Sequence, residues 1–304
     1  VGGTGQFGIT LAKKLEKKNL VIVTTRSILK SRKKFFKLKK VKLQHLKVEN
    51  KKNIKNLILK FKPKEIFYFA SQSSPAISFK KPLETYISNL VGCKNFLEAI
   101  YENNFQCKFI NAVSCDIYGN TARKIGLKTR KNPVSPYGKA KLASFKLTKK
   151  FREDKKLNAY NAIIFNTESI YRDKNFLISK ICLSAIKAKQ NNTKTAFGNL
   201  DISREWNWCP EQCDMLIKFL TKKPQDFILS NGKNFSAFEM LKFAFNYFKL
   251  DYRDYISFDK KYSRKKDINH IKSNYISCLK RNNLKRNSSI FGKKLIYKLI
   301  KHYR

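Results

Sequence analysis

Apolar and polar positions along this chain alternate between short apolar runs and longer amphipathic ones. The run LVIVTT (20–25) is continuous and rich in β-branched residues, the form of a strand buried on both faces. EIFYFASQSS (65–74) and CKFINAVSCDIYG (107–119) repeat that form, each an apolar strand running into small polar residues. Between the strands, apolar residues recur at helical spacing near 50–62 and 83–104, and another amphipathic run follows residue 8. Strands alternating with helices predict an α/β protein with a doubly wound parallel sheet, whose ligands sit at the carboxyl ends of the strands. Ser71, Gln72, Ser73, Ser114 and Asp116 all map to that edge.

The amino-terminal stretch VGGTGQFGITLAKKL places Gly2, Gly5 and Gly8 three residues apart, ahead of a helix, with Gln6 and Phe7 between them. A glycine turn entering a helix lets backbone N–H groups and the helix dipole meet a pyrophosphate, as in a Rossmann fold. Its distance from LVIVTT fits that arrangement. The sequence begins without methionine, and the strand expected before the glycine turn is mostly missing, so an unprotected sheet edge and low stability are expected. Arg26 ends the second strand, where a carboxylate would grip the 2′-hydroxyl of NAD; an arginine suits the 2′-phosphate of NADP instead, a solvated loop charge being the alternative. Phe69, Ala70, Ser71, Gln72 and Ser73 join the glycine turn as candidate cofactor contacts. With no internal repeat and no Gly/Ser linker, two interleaved lobes are expected. Residues 1–165, with 197–224 returning to them, are expected to form the NADP-binding Rossmann domain, and 166–196 and 225–304 a smaller α/β substrate-binding lobe.

Composition changes this picture little. The chain has 304 residues, enough for two lobes sharing a cleft, and 42% of them are hydrophobic. No window of about 18 apolar residues occurs and no secretory signal pattern opens the chain, so a soluble, cytoplasmic protein is expected, with no membrane partner. The seven cysteines are odd in number and scattered, which fits free thiols in a reducing compartment. Cys209 and Cys213 lack a second ligand pair among only three histidines, so no metal site is expected. The balance of 66 basic against 21 acidic residues, +45 overall, would suit a polyanion. The excess runs through the whole chain, as an AT-rich genome would produce, so a nucleic-acid role is the secondary reading. Only KSRKKFFKLKKVK (30–42) is locally dense, and it reads as a solvated connection between two strands.

SPYGKAKL (135–142) sets Tyr137 four residues before Lys141, on one face of a helix. An ammonium beside a phenol lowers its pKa from about 10 toward neutrality and makes the tyrosinate a usable base. With the glycine turn and Ser114 at a strand end, the pair describes an extended short-chain dehydrogenase.

The motifs SQSSPAISFKKP, NAVSCDIYG, SPYGKAKL, FNTESIYRDKNFLISKI (165–181) and GNLDISREWNWCPE (198–211) occur in the order and spacing of the GDP-mannose 4,6-dehydratase family, which the chain resembles over nearly its whole length. The resemblance implies a lyase acting on GDP-mannose or a related nucleotide sugar with bound NADP, in deoxysugar biosynthesis, and a homo-oligomer, either dimer or tetramer. It implies that Tyr137 takes the 4-hydroxyl proton as hydride leaves C4, and that Lys141 holds the nicotinamide ribose. Ser114, where the family has threonine, would bond the 4-oxygen. Asp116, where the family has glutamate, would remove the C5 proton and assist loss of the 6-hydroxyl; the competing reading of Asp116 is a cap for the following turn. Ser73, Ser114, Asn166, Lys180 and Arg204 match substrate contacts, Asn166 and Lys180 near the sugar diphosphate and Arg204 at the arginine of the family's Arg-Asp-Trp motif; Arg264 and Asp267 match contacts to the nucleotide, and Arg172 matches an NADP-contacting arginine. The chain departs from the family pattern at Asp116 and Asp267, each one methylene short. It departs again at Thr167, Glu84 and Lys47, which replace a histidine, a tyrosine and an aspartate. Those changes imply a slow or altered enzyme, or a basic Rossmann-like protein that has lost catalysis.

Overall fold

A computed structural model describes residues 1–121, 124–259, 268–286 and 288–304. The chain divides into two compact units, the first comprising 1–119, 127–164 and 213–229, the second 120–126, 165–212 and 230–304. The stretch 197–224, expected to return whole to the nucleotide-binding lobe, is therefore split. Residues up to 212 belong to the second unit, and Cys213–Leu229 supplies a helix end and an edge strand to the first. The edge strand is the reason: Asp226–Leu229 pairs in parallel with Ala159–Ile164.

In the first unit four parallel strands stand in the order Asp226–Leu229, Ala159–Ile164, Lys108–Ser114, Glu65–Tyr68. A separate parallel pair joins Val21–Thr25 to Val41–His45. Residues 1–3 touch both groups: the Phe69 N–H donates to the Val1 carbonyl at 2.9 Å, and the Gly3 N–H donates to the Thr24 carbonyl at 3.2 Å. Helices Lys51–Phe61 and Gly92–Glu102 bury Ile54, Ile58, Phe96, Leu97 and Ile100 against Tyr68 and Phe109 of the sheet. The dense basic run differs from its expectation as a solvated connection. Ser27 caps a helix, Ile28–Phe35, whose Ser31 and Phe35 are buried, and Val41–His45 follows as a strand.

A buried polar ladder sets the helix Pro136–Glu153 on the sheet. The Asn111 amide nitrogen lies 3.1 Å from both Thr148 Oγ1 and Asn161 Oδ1, and Asn161 donates to the Phe145 carbonyl and to Asp226. Arg152, at the helix end, closes the ladder on Asp226 at 2.9 Å. Buried polar groups tolerate few other arrangements, so this ladder specifies the helix register over two strands.

The second unit packs helices Leu177–Asn191, Ala237–Asn246 and Gly292–Tyr303 around Ile181, Phe197, Trp206, Leu241 and Leu299. Short strand pairs stitch it together: Thr167–Glu168 with Asn207–Trp208, Ser203–Arg204 with Phe235–Ser236, and Thr195–Phe197 with Ile256–Phe258. The buried Glu205 carboxylate accepts from Ser230, from the Ser273 hydroxyl at 2.6 Å and from the Ser273 N–H at 2.8 Å, tying three segments to one side chain. All seven cysteines are buried free thiols. Among the described residues no helix is long and apolar enough to cross a membrane.

Candidate functional site

Strand Lys108–Ser114 ends at a single 3₁₀ turn, Cys115–Tyr118. Ser114 caps that turn, its hydroxyl accepting from the Asp116 N–H at 3.2 Å and lying 3.3 Å from Asp116 Oδ1. The cap is thus Ser114, and the Asp116 carboxylate is turned back to the serine hydroxyl.

Tyr137 and Lys141 sit in the first two turns of Pro136–Glu153, whose start is set by Ser135 accepting from the Gly138 N–H at 3.0 Å and by proline at the first position. Gly138 is what lets this helix approach the Asp116 turn: a Cβ there would stand 2.8 Å from the Asp116 carbonyl. One missing side chain therefore brings the tyrosine's helix against the acid's turn. Tyr137 and Lys141 are buried, and the Lys141 ammonium donates to the Ala112 carbonyl at 2.7 Å, 5.9 Å from the centre of the Tyr137 ring. Burial lowers the Lys141 pKa from 10.5 to about 8. Ser114, Asp116, Tyr137 and Lys141 thus meet at the carboxyl end of one central strand.

The glycine turn lies at the same edge of the unit. Gly2 has φ +69°, and a side chain on it would run into the backbone of Ala70; one on Gly8 would run into Gly3. At Gly5, by contrast, a Cβ would meet only the Gly2 carbonyl at 3.8 Å, an ordinary van der Waals contact. Gly5 caps the helix Gln6–Leu15 without a side-chain hydrogen bond, so no cap side chain stands between the helix N-terminus and an anion. Phe7 stacks on Phe69 at 5.3 Å. This is a cradle that fits a dinucleotide pyrophosphate. Beyond Ala70, Ser71 donates to Asn89 at 2.6 Å, the Gln72 N–H donates to Ser88 at 3.0 Å, and Ser73 is exposed. The π-helical turn Ile87–Val91 presents Ser88 and Asn89 to that loop, a local irregularity of the kind that recurs at functional sites. Arg26 is exposed and paired with Glu84 at 3.9 Å.

The remaining candidates belong to the second unit. Arg172 stacks 3.5 Å over Phe176 and lies 3.8 Å from the buried Glu168 carboxylate, with no hydrogen bond between Glu168 Oε2 and Arg172 Nε. Burial raises the Glu168 pKa to about 7, against a smaller opposite effect of Arg172. Lys180 donates to the Ala196 carbonyl at 2.6 Å and covers Phe197, and burial lowers its pKa. Arg204 is buried, its guanidinium donating to the carbonyls of Ser203, Ile268 and Asn269. In this state it braces the backbone. Asn166 is half-buried, and its carbonyl accepts from the Asn207 backbone and side chain, both at 2.8 Å. Arg264 and Asp267 lie outside the described residues. Sequence reasoning did not single out Gly138, Glu168 or Lys34, the last hidden in a run of lysines although its ammonium donates to the Thr4 carbonyl of the glycine turn at 3.0 Å; the Tyr-Gly pair was the available signal for the first.

The fold is shared with solved enzymes of low sequence identity. UDP-glucose 4-epimerase of Thermus thermophilus, described in complex with NAD, superposes with a TM-score of 0.86 at 16% identity, covering 99% of this chain and 97% of that one. RMD of Pseudomonas aeruginosa, complexed with NADPH, gives 0.80 at 17% identity over 100% and 97%. By sequence, the chain is 31% identical over 217 residues to GDP-mannose 4,6 dehydratase 1 of Arabidopsis thaliana, covering 69% of this chain and 60% of that protein. It is 30% identical over 206 residues to GDP-mannose 4,6-dehydratase of Vibrio cholerae, covering 66% and 55%. The chain thus spans about 60% of the length of the plant relative and 55% of the bacterial one. The sequence model described as GDP-mannose 4,6 dehydratase matches residues 1–297, and the chain belongs to that family.

Proposed function

We propose that this protein is a nucleotide-sugar 4,6-dehydratase that converts GDP-mannose, or a closely related nucleotide hexose, to its 4-keto-6-deoxy product with NADP as a resident cofactor. The observation that carries the reading is the meeting of Ser114, Asp116, Tyr137 and Lys141 at one strand end. Family membership and the glycine cradle support it. Structural neighbours described with NAD and NADPH support a nicotinamide dinucleotide, and Arg26 supports the 2′-phosphorylated form.

When bound, the dinucleotide supplies reversible hydride storage, taking one from C4 and returning it to C6. Tyr137 removes the 4-hydroxyl proton in the first half and gives one up to C5 in the last, C4 remaining a ketone. Lys141, anchored on the Ala112 carbonyl, holds positive charge near that phenol and would hold the nicotinamide ribose. Ser114 donates to the 4-oxygen. With C4 as a ketone the C5 proton is acidic; Asp116 takes it and passes it to the departing 6-hydroxyl, so the C6–O bond breaks and water leaves. Protonation at C5 by Tyr137 completes the product with no net change of oxidation state. Arg172 would contact the dinucleotide, and Asn166, Lys180, Arg204, Arg264 and Asp267 the nucleotide sugar.

The test is incubation with NADP⁺ and a panel of GDP- and dTDP-hexoses, read by mass. Loss of one water from a GDP-hexose is the expected result. No loss from any substrate, together with nucleic-acid binding that falls steeply with salt, would overturn it in favour of a basic protein that has lost catalysis.

A further inference from the structure

Glu84 pairs with Arg26, and Lys34 is held on the glycine turn. The bond from the Gly3 N–H to the Thr24 carbonyl ties the glycine turn to the end of strand Val21–Thr25, two residues before Arg26. Helix Ile28–Phe35 then folds back in a fixed orientation. Ser31 donates to the Ser27 carbonyl at 2.6 Å and lies 2.9 Å from the Thr25 hydroxyl. One turn on, the Lys34 ammonium donates to the Thr4 carbonyl at 3.0 Å, on the glycine turn itself. A second cation is thereby held beside the loop that Arg26 borders. On the other element, Glu84 lies 3.9 Å from Arg26 and 3.4 Å from Lys81, so Arg26 already faces a carboxylate.

We infer that Lys34 and Glu84 set this chain's preference between phosphorylated and unphosphorylated dinucleotides, Lys34 by adding charge toward a 2′-phosphate and Glu84 by withdrawing part of the charge of Arg26. The inference rests on the reading of the glycine turn as a dinucleotide cradle. A 2′-phosphate is a dianion at neutral pH. An arginine shared with a carboxylate attracts it less than a free one, so the lysine on the glycine turn, which pairs with no carboxylate among the described residues, restores the balance. Both side chains are exposed, so solvent and salt hold each effect to a few-fold. For the same reason neither substitution disturbs folding.

The experiment measures Kd for NADP⁺ and NAD⁺ by titration calorimetry in wild type, Lys34→Met, Glu84→Gln and, as a control for total charge, Lys150→Met. Lys150 is exposed near the far end of the helix Pro136–Glu153. Lys34→Met is expected to weaken NADP⁺ by about fivefold and Glu84→Gln to tighten it by about threefold, each leaving NAD⁺ within twofold, with Lys150→Met altering neither. Equal changes for both cofactors, unchanged ratios, or the same effect from Lys150→Met would overturn the inference while leaving the dinucleotide reading intact. A wild-type protein that binds neither cofactor would overturn both.

Discussion

Lys141 is predicted to weaken the fold it serves. Its ammonium is buried with one carbonyl partner at 2.7 Å, and burial lowers its pKa from 10.5 to about 8. At pH 7 both folded and unfolded chains carry the charge, but the folded one carries it at a disadvantage. That difference of about 2.5 pKa units amounts to about 3 kcal/mol. Between pH 8 and 10.5 the unfolded chain binds the proton and the folded one does not, so this penalty shrinks as pH rises and is about 1 kcal/mol by pH 10. Lys141→Met keeps the side-chain volume and removes the titration. Allowing about 1 kcal/mol for the lost hydrogen bond, the cofactor-free variant should be more stable than wild type by about 2 kcal/mol at pH 7. Its advantage should fall by about 2.5 kcal/mol between pH 7 and pH 10. Urea denaturation of both proteins at the two pH values measures this, and turnover of the variant should be lost. A stability difference that does not change with pH would refute the reasoning, because only a displaced titration makes the difference depend on proton concentration.

Tyr137→Phe should keep dinucleotide affinity within a few-fold and reduce turnover by about a thousandfold, measured by calorimetry and product mass; near-wild-type turnover would remove the phenol from the mechanism. Asp116→Glu restores the family's reach by one methylene, or about 1 Å, and should raise kcat; a tenfold fall at unchanged KM would mean a pocket shaped around aspartate. Glu168 is the acid counterpart of Lys141: with its pKa raised to about 7, its cost is absent below pH 4.5 and grows to about 3 kcal/mol by pH 8. The stability of Glu168→Gln relative to wild type should rise over that range, and a flat difference in denaturation curves would refute it.

The strand-helix alternation, the glycine turn and the Tyr137–Lys141 pair are local signals, since each depends on side-chain period or on spacing within one helical turn. They were legible for that reason, and helix Lys51–Phe61 appears where periodicity puts it. The amphipathic run 83–104 hid a break: it divides into Pro82–Tyr86, a π turn and Gly92–Glu102, because Ser88 and Asn89 are drawn to the loop after a strand far away in sequence. The basic run 30–42 looked solvated because lysines dominate it, yet burial of Phe35 and the Ser27 cap make its first half a helix. The lobe boundary near residue 212 was likewise beyond local pattern, since it depends on which neighbour the strand Asp226–Leu229 pairs with. Side-chain partners were the least legible of all. Lys34 is one of 66 basic residues by composition, and only the return of its helix onto the glycine turn distinguishes it. Arg204 reads as a ligand contact from its motif, whereas packing turns its guanidinium onto three backbone carbonyls. Sequence period encodes which face of an element is apolar; which distant group a polar side chain meets is decided when the elements pack.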